Sequence, residues 1–124
     1  MWKVATTVEF DAWFADLAGD EKTELIAKVE LLKKFGPQLS RPHADTLKGS
    51  EHANMKELRG KTSTAVLRVA FAFDVDRDAI LLVGGNKAGV NERRFYKVLI
   101  AQADAVFTRH LVKLRKRRKD KEHG

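Results

Sequence analysis

The chain has 124 residues, 24 Lys/Arg against 17 Asp/Glu, a formal net charge of +7 and 44% hydrophobic residues. That balance suits one globular domain rather than a disordered segment, and the absence of cysteine excludes a disulfide framework and thiolate zinc sites. The opening "MWKVATTVEFDAW" reaches acidic side chains before any apolar run long enough for a signal peptide. No segment approaches the ~20 apolar residues of a bilayer span, so the expected compartment is cytoplasmic, with no membrane partner.

The positive charge is unevenly placed. Residues 113–124, "KLRKRRKDKEHG", hold seven Lys/Arg and two Asp/Glu, which leaves the preceding residues with a net charge of only +2. Such a run is ordinarily a solvated end, with contact to nucleic acid as the alternative. The chain therefore divides into a body, 1–112, and a basic C-terminal tail, 113–124.

In chain order, "WKVAT" (2–6) reads as a short strand. Thr6 followed by Glu9 fits a capping box, and Phe10, Trp13, Phe14 and Leu17 then fall on one helical stripe. Gly19 breaks that helix and Asp20 caps a second, with Leu25, Val29, Leu32 and Phe35 on its stripe and Gly36-Pro37 at its end. Residues 37–54 are polar and turn-rich. "MKELR" (55–59) reads as a short strand, 64–73 as a longer one, and 79–83 as a third that Gly84-Gly85 terminates. From about Asn91 the helical period returns, with Leu99, Ala103, Val106, Phe107, His110, Leu111 and Leu114 on one face, in a helix able to run into the tail. Strands joined by tight turns pair antiparallel, so the expected fold is α+β: a small antiparallel sheet with two N-terminal helices and a C-terminal helix, one sheet face open.

Residues 66–73 alternate. Leu67, Val69, Phe71 and Phe73 point to the helix-covered face, while Arg68 shares the other face with Val66, Ala70 and Ala72. Leu58 pointing to the core places Met55, Glu57 and Arg59 on that second face as well. Arg59 and Arg68 are thus expected to project, exposed, from neighbouring strands. A cross-strand pair with Glu57 is one explanation. A basic concavity for a polyanion, with Lys61, Lys87, Arg93 and Arg94 around it, is the other, since arginine grips phosphate with two parallel hydrogen bonds.

Other motifs lead nowhere. "GGNKAG" (84–89) lacks the Gly-Lys-Ser/Thr ending of a phosphate-binding P-loop. Asp74, Asp76 and Asp78 have the first spacings of a calcium loop, but Ala79 stands at its sixth position and the closing glutamate is missing, so a hairpin turn is the better reading. His43, His52, His110 and His123 have no metal-ligand spacing, and no metal or other cofactor is expected. His110 lies on an apolar helical stripe. His52, just before "MKELR", could reach the open face.

"MKELR", "VLRVAFAFD" and "LLVGGNKAGVNERRFYKVLIAQADAVFTRHL", with "EFDAWFADL" upstream, resemble the RelE/ParE superfamily of bacterial toxins, and within it the HigB-type, phage-related branch. The resemblance spans roughly residues 3–112. It implies the toxin of a type II toxin–antitoxin pair, held by a cognate antitoxin, that cuts messenger RNA on the ribosome without a metal: the RNA 2′-hydroxyl attacks the adjacent phosphate while the protein orients the strand and stabilises charge. Matched position by position, it implies catalytic roles for Arg59, Arg68, Lys87 and Glu57, and RNA contacts by Lys61, Arg93, Arg94, Tyr96 and His52, with Tyr96 stacking on a base. This branch often has aspartate before the lysine, where Asn86 stands here. The general base is left among Glu57, Lys87 and His52. Two other functions stay open: a toxin of this fold that inhibits DNA gyrase without catalysis, and a nucleic-acid-binding module that works through the tail.

Overall fold

The computed structural model describes residues 1–123. Its elements are β1 (Val4–Thr6), α1 (Val8–Ala15), α2 (Gly19–Phe35), β2 (Ala44–Thr46), β3 (Lys56–Lys61), β4 (Val66–Phe73), β5 (Ala79–Asn86) and α3 (Glu92–His123). The strands form one open sheet in the order β1-β5-β4-β3-β2, antiparallel throughout except that β1 runs parallel to β5. The expected α+β class and helix order hold. β2 is an addition within the stretch read as turns, and the parallel β1 arises because two helices separate it from the rest of the sheet.

The alternation read in β4 sorts the two faces. Leu67, Val69 and Phe71 join Leu58 and Leu81 against Phe10 of α1 and Leu25 and Leu32 of α2. Ala70 and Ala72 face the other way, with Met55, Ile80 and Leu82, and pack on Leu99, Ala103, Val106 and Phe107 of α3. The second face is therefore open only in part: α3 crosses the β4–β5 half, where alanines make room for it, and the β3 end stays uncovered. Where Ala70 and Ala72 stop, Arg68 begins.

Local chemistry sets the element ends. Thr7, not Thr6, caps α1, its hydroxyl accepting from the Phe10 N–H at 3.0 Å while donating to the Leu82 carbonyl at 2.6 Å. α2 starts one residue before Asp20, and the Glu21 carboxylate closes back on the Ala18 N–H at 2.8 Å. Gly36 and Pro37 end α2 as expected, with Gly36 at φ 57° and a Cβ there 2.3 Å from the Trp2 ring. Asp74 builds the hairpin turn: one oxygen accepts from the Asp76 and Asp78 N–H groups and the other meets His110 Nε2 at 2.9 Å.

The glycine pair does not terminate β5, which runs through it to Asn86. Its reason is close packing from both sides of the sheet. A Cβ on Gly84 would lie 2.3 Å from the Trp13 ring, and one on Gly85 would lie 2.8 Å from Phe95. Gly84→Ala is expected to cost about 1–3 kcal/mol through this overpacking, whereas Gly19→Ala, whose Cβ meets nothing within 4 Å, should be neutral or slightly stabilising. Urea unfolding of the two variants measures the difference.

Candidate nucleic-acid interface

Arg59 and Arg68 are directly opposite one another in the β3–β4 ladder, an unfavourable juxtaposition of like charges unless something lies between them. Glu57 does. Its Oε2 accepts from Arg59 Nη1 at 3.0 Å, and its Oε1 accepts from the Tyr96 hydroxyl at 2.7 Å and lies 3.5 Å from Arg68 Nε. Arg68 Nε donates to the Tyr96 hydroxyl at 3.2 Å, and its Nη1 donates to the Leu67 carbonyl at 2.9 Å. The four side chains form one closed network joining β3, β4 and α3.

Burial separates their roles. Glu57 is 4% exposed and Arg68 5%. Arg68 is therefore not the open, solvent-facing arginine expected from the alternation: Tyr96 of α3 lies over it, and its guanidinium is spent on Tyr96 and a carbonyl. Arg59 is half-buried, at 24% of its side chain. It lines a cavity of about 600 Å³ with Arg41, Asp45, Lys48, Lys87, Glu92 and Tyr96. Glu57 also reaches that cavity, but both its oxygens are engaged.

Like Arg59, two more of the cations around the cavity carry an acidic neighbour. Arg41 Nε donates to Asp45 Oδ2 at 2.7 Å, and Lys87 Nζ donates to Glu92 Oε1. Lys87 Nζ also stands 5.4 Å over the Tyr96 ring, a cation–π contact. The Lys87 ammonium holds the Glu92 carboxyl below the usual glutamate range, with Arg68 and Arg59 adding to the effect. The Arg41 guanidinium does the same to Asp45. Burial, reinforced by the bond to Glu57, pushes the Tyr96 hydroxyl above the ordinary tyrosine value, so it remains a proton donor well into alkaline solution.

Of the residues singled out in the sequence, Arg59, Arg68, Glu57, Lys87 and Tyr96 come together here. Lys61 is exposed at the end of β3, with its backbone N–H bonded to Glu24, and does not line the cavity. Arg93 is exposed in the first turn of α3, and Arg94 lies on the opposite side of that helix, in a separate groove. His52 does not reach the face: it sits edge-on to Phe107 with Nε2 2.9 Å from Thr108 Oγ1, because the loop carrying it is tied to α3 through Asp104. Arg41, Asp45, Lys48 and Glu92 lay outside the sequence reading. The Arg41–Asp45 spacing was the available signal for two of them, hidden in a stretch with no periodicity. Asn86 Oδ1 accepts from the Val66 and Ala88 N–H groups at 3.0 Å each, so the amide supplies the acceptor that an aspartate would supply in the turn before Lys87.

Residues 12–108 match the model of a family described as phage-derived, Gp49-like proteins (DUF891). The chain belongs to that family. It is 40% identical over 123 residues to the HigB2 protein of Mycobacterium tuberculosis, covering 95% of this chain and 61% of the relative. It is 42% identical over 96 residues to HigB3 of the same organism, covering 77% and 82%. Both relatives are named as toxins, and the chain spans about three-fifths of the length of the first. A free-state structure of a mutant of the Escherichia coli toxin RelE matches the fold with a TM-score of 0.59 over 81% of this chain and 94% of that one, at 10% identity. This Gp49-like chain is accordingly HigB-like, with a fold similar to that of RelE.

Arg68→Ala empties a buried position and strands the Oε1 side of Glu57 away from water, whereas Arg59→Ala opens Glu57 Oε2 to water in the cavity. Arg68→Ala is expected to destabilise by about 2–4 kcal/mol, against roughly 1 kcal/mol for Arg59→Ala; chemical denaturation compares the two. Tyr96 is the single tyrosine of the chain, so absorbance at 295 nm reports it alone. Its ionisation midpoint is expected above the usual ~10 and should fall in Glu57→Gln, where the carboxylate charge is gone. Because the folded-state pKa lies above the unfolded one, the associated stabilisation is complete below pH ~10 and is lost as pH rises through the folded midpoint.

Proposed function

We propose that this chain is the toxin component of a type II toxin–antitoxin pair and a metal-independent endoribonuclease that cuts messenger RNA on the ribosome. Its partners in that reading are a cognate antitoxin and mRNA. The observation that carries it is the cavity itself: Arg41, Arg59, Lys48 and Lys87 ring an open recess beside Tyr96, at the uncovered end of the sheet. The relatives named as toxins support the same reading.

The chemistry needs no group beyond the chain and the RNA. The 2′-hydroxyl loses its proton and attacks the adjacent phosphorus, the bond from phosphorus to the 5′-oxygen breaks, and that oxygen takes up a proton, leaving a cyclic 2′,3′-phosphate. Extra negative charge builds on the non-bridging oxygens on the way, and fixed guanidinium and ammonium groups stabilise it most where water is scarce. Arg59 and Lys87 have the reach and exposure for that role, with Arg41 and Lys48 holding the strand on either side. Arg68 and Glu57 act behind them, fixing Arg59 and the Tyr96 hydroxyl. Tyr96 offers a ring face to a base and a hydroxyl that stays protonated. The 2′-hydroxyl proton passes to water in this reading, because Lys87 serves as an ammonium with no lone pair to accept it, Glu57 has both oxygens engaged and His52 lies elsewhere.

The tail enters differently. α3 runs on past residue 112 without a break, and at 1.5 Å per residue its charges near Arg118 stand about 30 Å along the helix from Tyr96. They add attraction to RNA without touching the reacting nucleotide.

Controlled expression followed by mapping of transcript 5′ ends tests the proposal. Wild-type protein should give new 5′-hydroxyl ends within translated regions. Arg59→Ala, which stays folded, should reduce them by about 100-fold or more. Replacing Mg²⁺ by cobalt hexammine, which supports RNA structure without delivering metal-bound water, should leave the cleavage step unchanged. Intact transcripts accompanied by DNA-damage signalling would sink the endonuclease reading in favour of gyrase inhibition.

A further inference from the structure

β1 covers only part of the outer edge of β5. Its register pairs Val4, Ala5 and Thr6 with Ala79, Ile80 and Leu81, and Thr7 extends the contact to the carbonyls of Leu81 and Leu82. Beyond that point, Val83–Asn86 has a partner strand on the β4 side alone. An outward row of backbone donors and acceptors left this way is a template for another strand.

This open edge lies at the floor of an apolar groove of about 450 Å³. Trp13 of α1 forms one wall, and Phe95, Val98 and Leu99 of α3 form the other. Val98 is 50% exposed and Val90, at the groove's end, 54%. The glycines give the floor its access, since Gly84 and Gly85 place no side chain between the strand and the aromatic walls. Arg94 stands at the rim, exposed, and among the described residues no acidic side chain lines the groove. The first three turns of α3 separate it from the cationic cavity, which takes Glu92, Tyr96 and Ile100 from the other side of the same helix.

We infer that the Val83–Asn86 edge accepts an extended segment of another polypeptide as a sixth strand, with apolar side chains between Trp13 and Val98 and an acidic residue at Arg94. A polypeptide backbone is the occupant whose alternating donors and acceptors match a sheet edge. An apolar groove with one cation at its rim selects alternating apolar residues flanked by Asp or Glu. RNA is a poor fit, because the walls offer no cationic track for its phosphates. The inference does not rest on the RNA-cleavage reading.

A random-decapeptide display library selected on the full-length protein provides the probe, and a synthetic peptide of the selected consensus provides the measurement. The consensus should carry apolar residues at every second position with an acidic flank. Methylating its backbone nitrogens at alternate positions should weaken binding by about 10- to 100-fold, the loss of one or two backbone hydrogen bonds. Val98→Asp and Arg94→Glu should each weaken it similarly, Arg59→Ala should leave it unchanged, and amide exchange should slow at Val83–Asn86 on binding. Binding that Val98→Asp leaves intact, or that N-methylation leaves intact, overturns the inference. So does a failure to select any peptide, or self-association of the protein that Val98→Asp abolishes, which would assign the edge to a second copy.

Discussion

The carboxylate of Glu57 is the interaction on which the site depends. Two arginines placed opposite each other on adjacent strands repel, and a cross-strand pair of like charges costs stability unless a counter-charge is shared between them. Glu57 supplies it from the same face of β3, two residues before Arg59. Its burial would be prohibitive alone, and becomes tolerable because Arg59, Arg68 and the Tyr96 hydroxyl all turn toward it. One acid thereby ties two strands to the first turns of the C-terminal helix, where it comes onto the sheet.

From that anchor the cavity follows. Tyr96 is drawn down onto Glu57, and α3 then packs over Ala70 and Ala72, leaving the β3 end bare. The uncovered end gathers cations from four separate segments: Arg41 before β2, Lys48 after it, Arg59 on β3 and Lys87 after β5. Two of them are held by acids on exposed segments, Asp45 and Glu92, with which an incoming phosphate competes directly. The buried Glu57 is of another kind, since displacing it would break the network that aims Arg59. Exchangeable acids at the rim and a fixed acid beneath make a preorganised anion site that is not left unneutralised when empty.

The same helix serves two surfaces. Its first turns present Glu92 and Tyr96 to the cationic cavity and Arg94, Phe95 and Val98 to the apolar groove beside β5. Gly84 and Gly85 are the hinge of that arrangement in the packing sense. Without side chains they let Trp13 and Phe95 approach the sheet from opposite faces, and so fix where α3 begins.

Period-two alternation in 66–73, the helical stripe from Leu99 to Leu114 and the Gly36-Pro37 stop are local signals, and each element they mark is present because local burial and backbone geometry suffice to specify it. The placement of Arg59, Glu57 and Arg68 on one face was legible for the same reason: a strand's faces are set by counting. What counting could not reveal was depth. Whether Arg68 meets solvent or a tyrosine depends on where a helix 28 residues later comes to lie, and that is settled by packing of α3 on the alanines of β4. The glycine pair read as a stop became a packing site once Trp13 and Phe95 were brought to it from distant segments. His52 was turned from the site by Asp104 and Thr108, and Arg41, Lys48 and Glu92 were brought into it, through contacts between residues far apart in the chain. The sequence by itself determined the helices, the longer strands with their faces and the family likeness; tertiary structure alone decided that Ala44–Thr46 pairs as a strand, which charges are buried, which are free, and which meet, because burial and pairing arise only when distant segments exclude the same water.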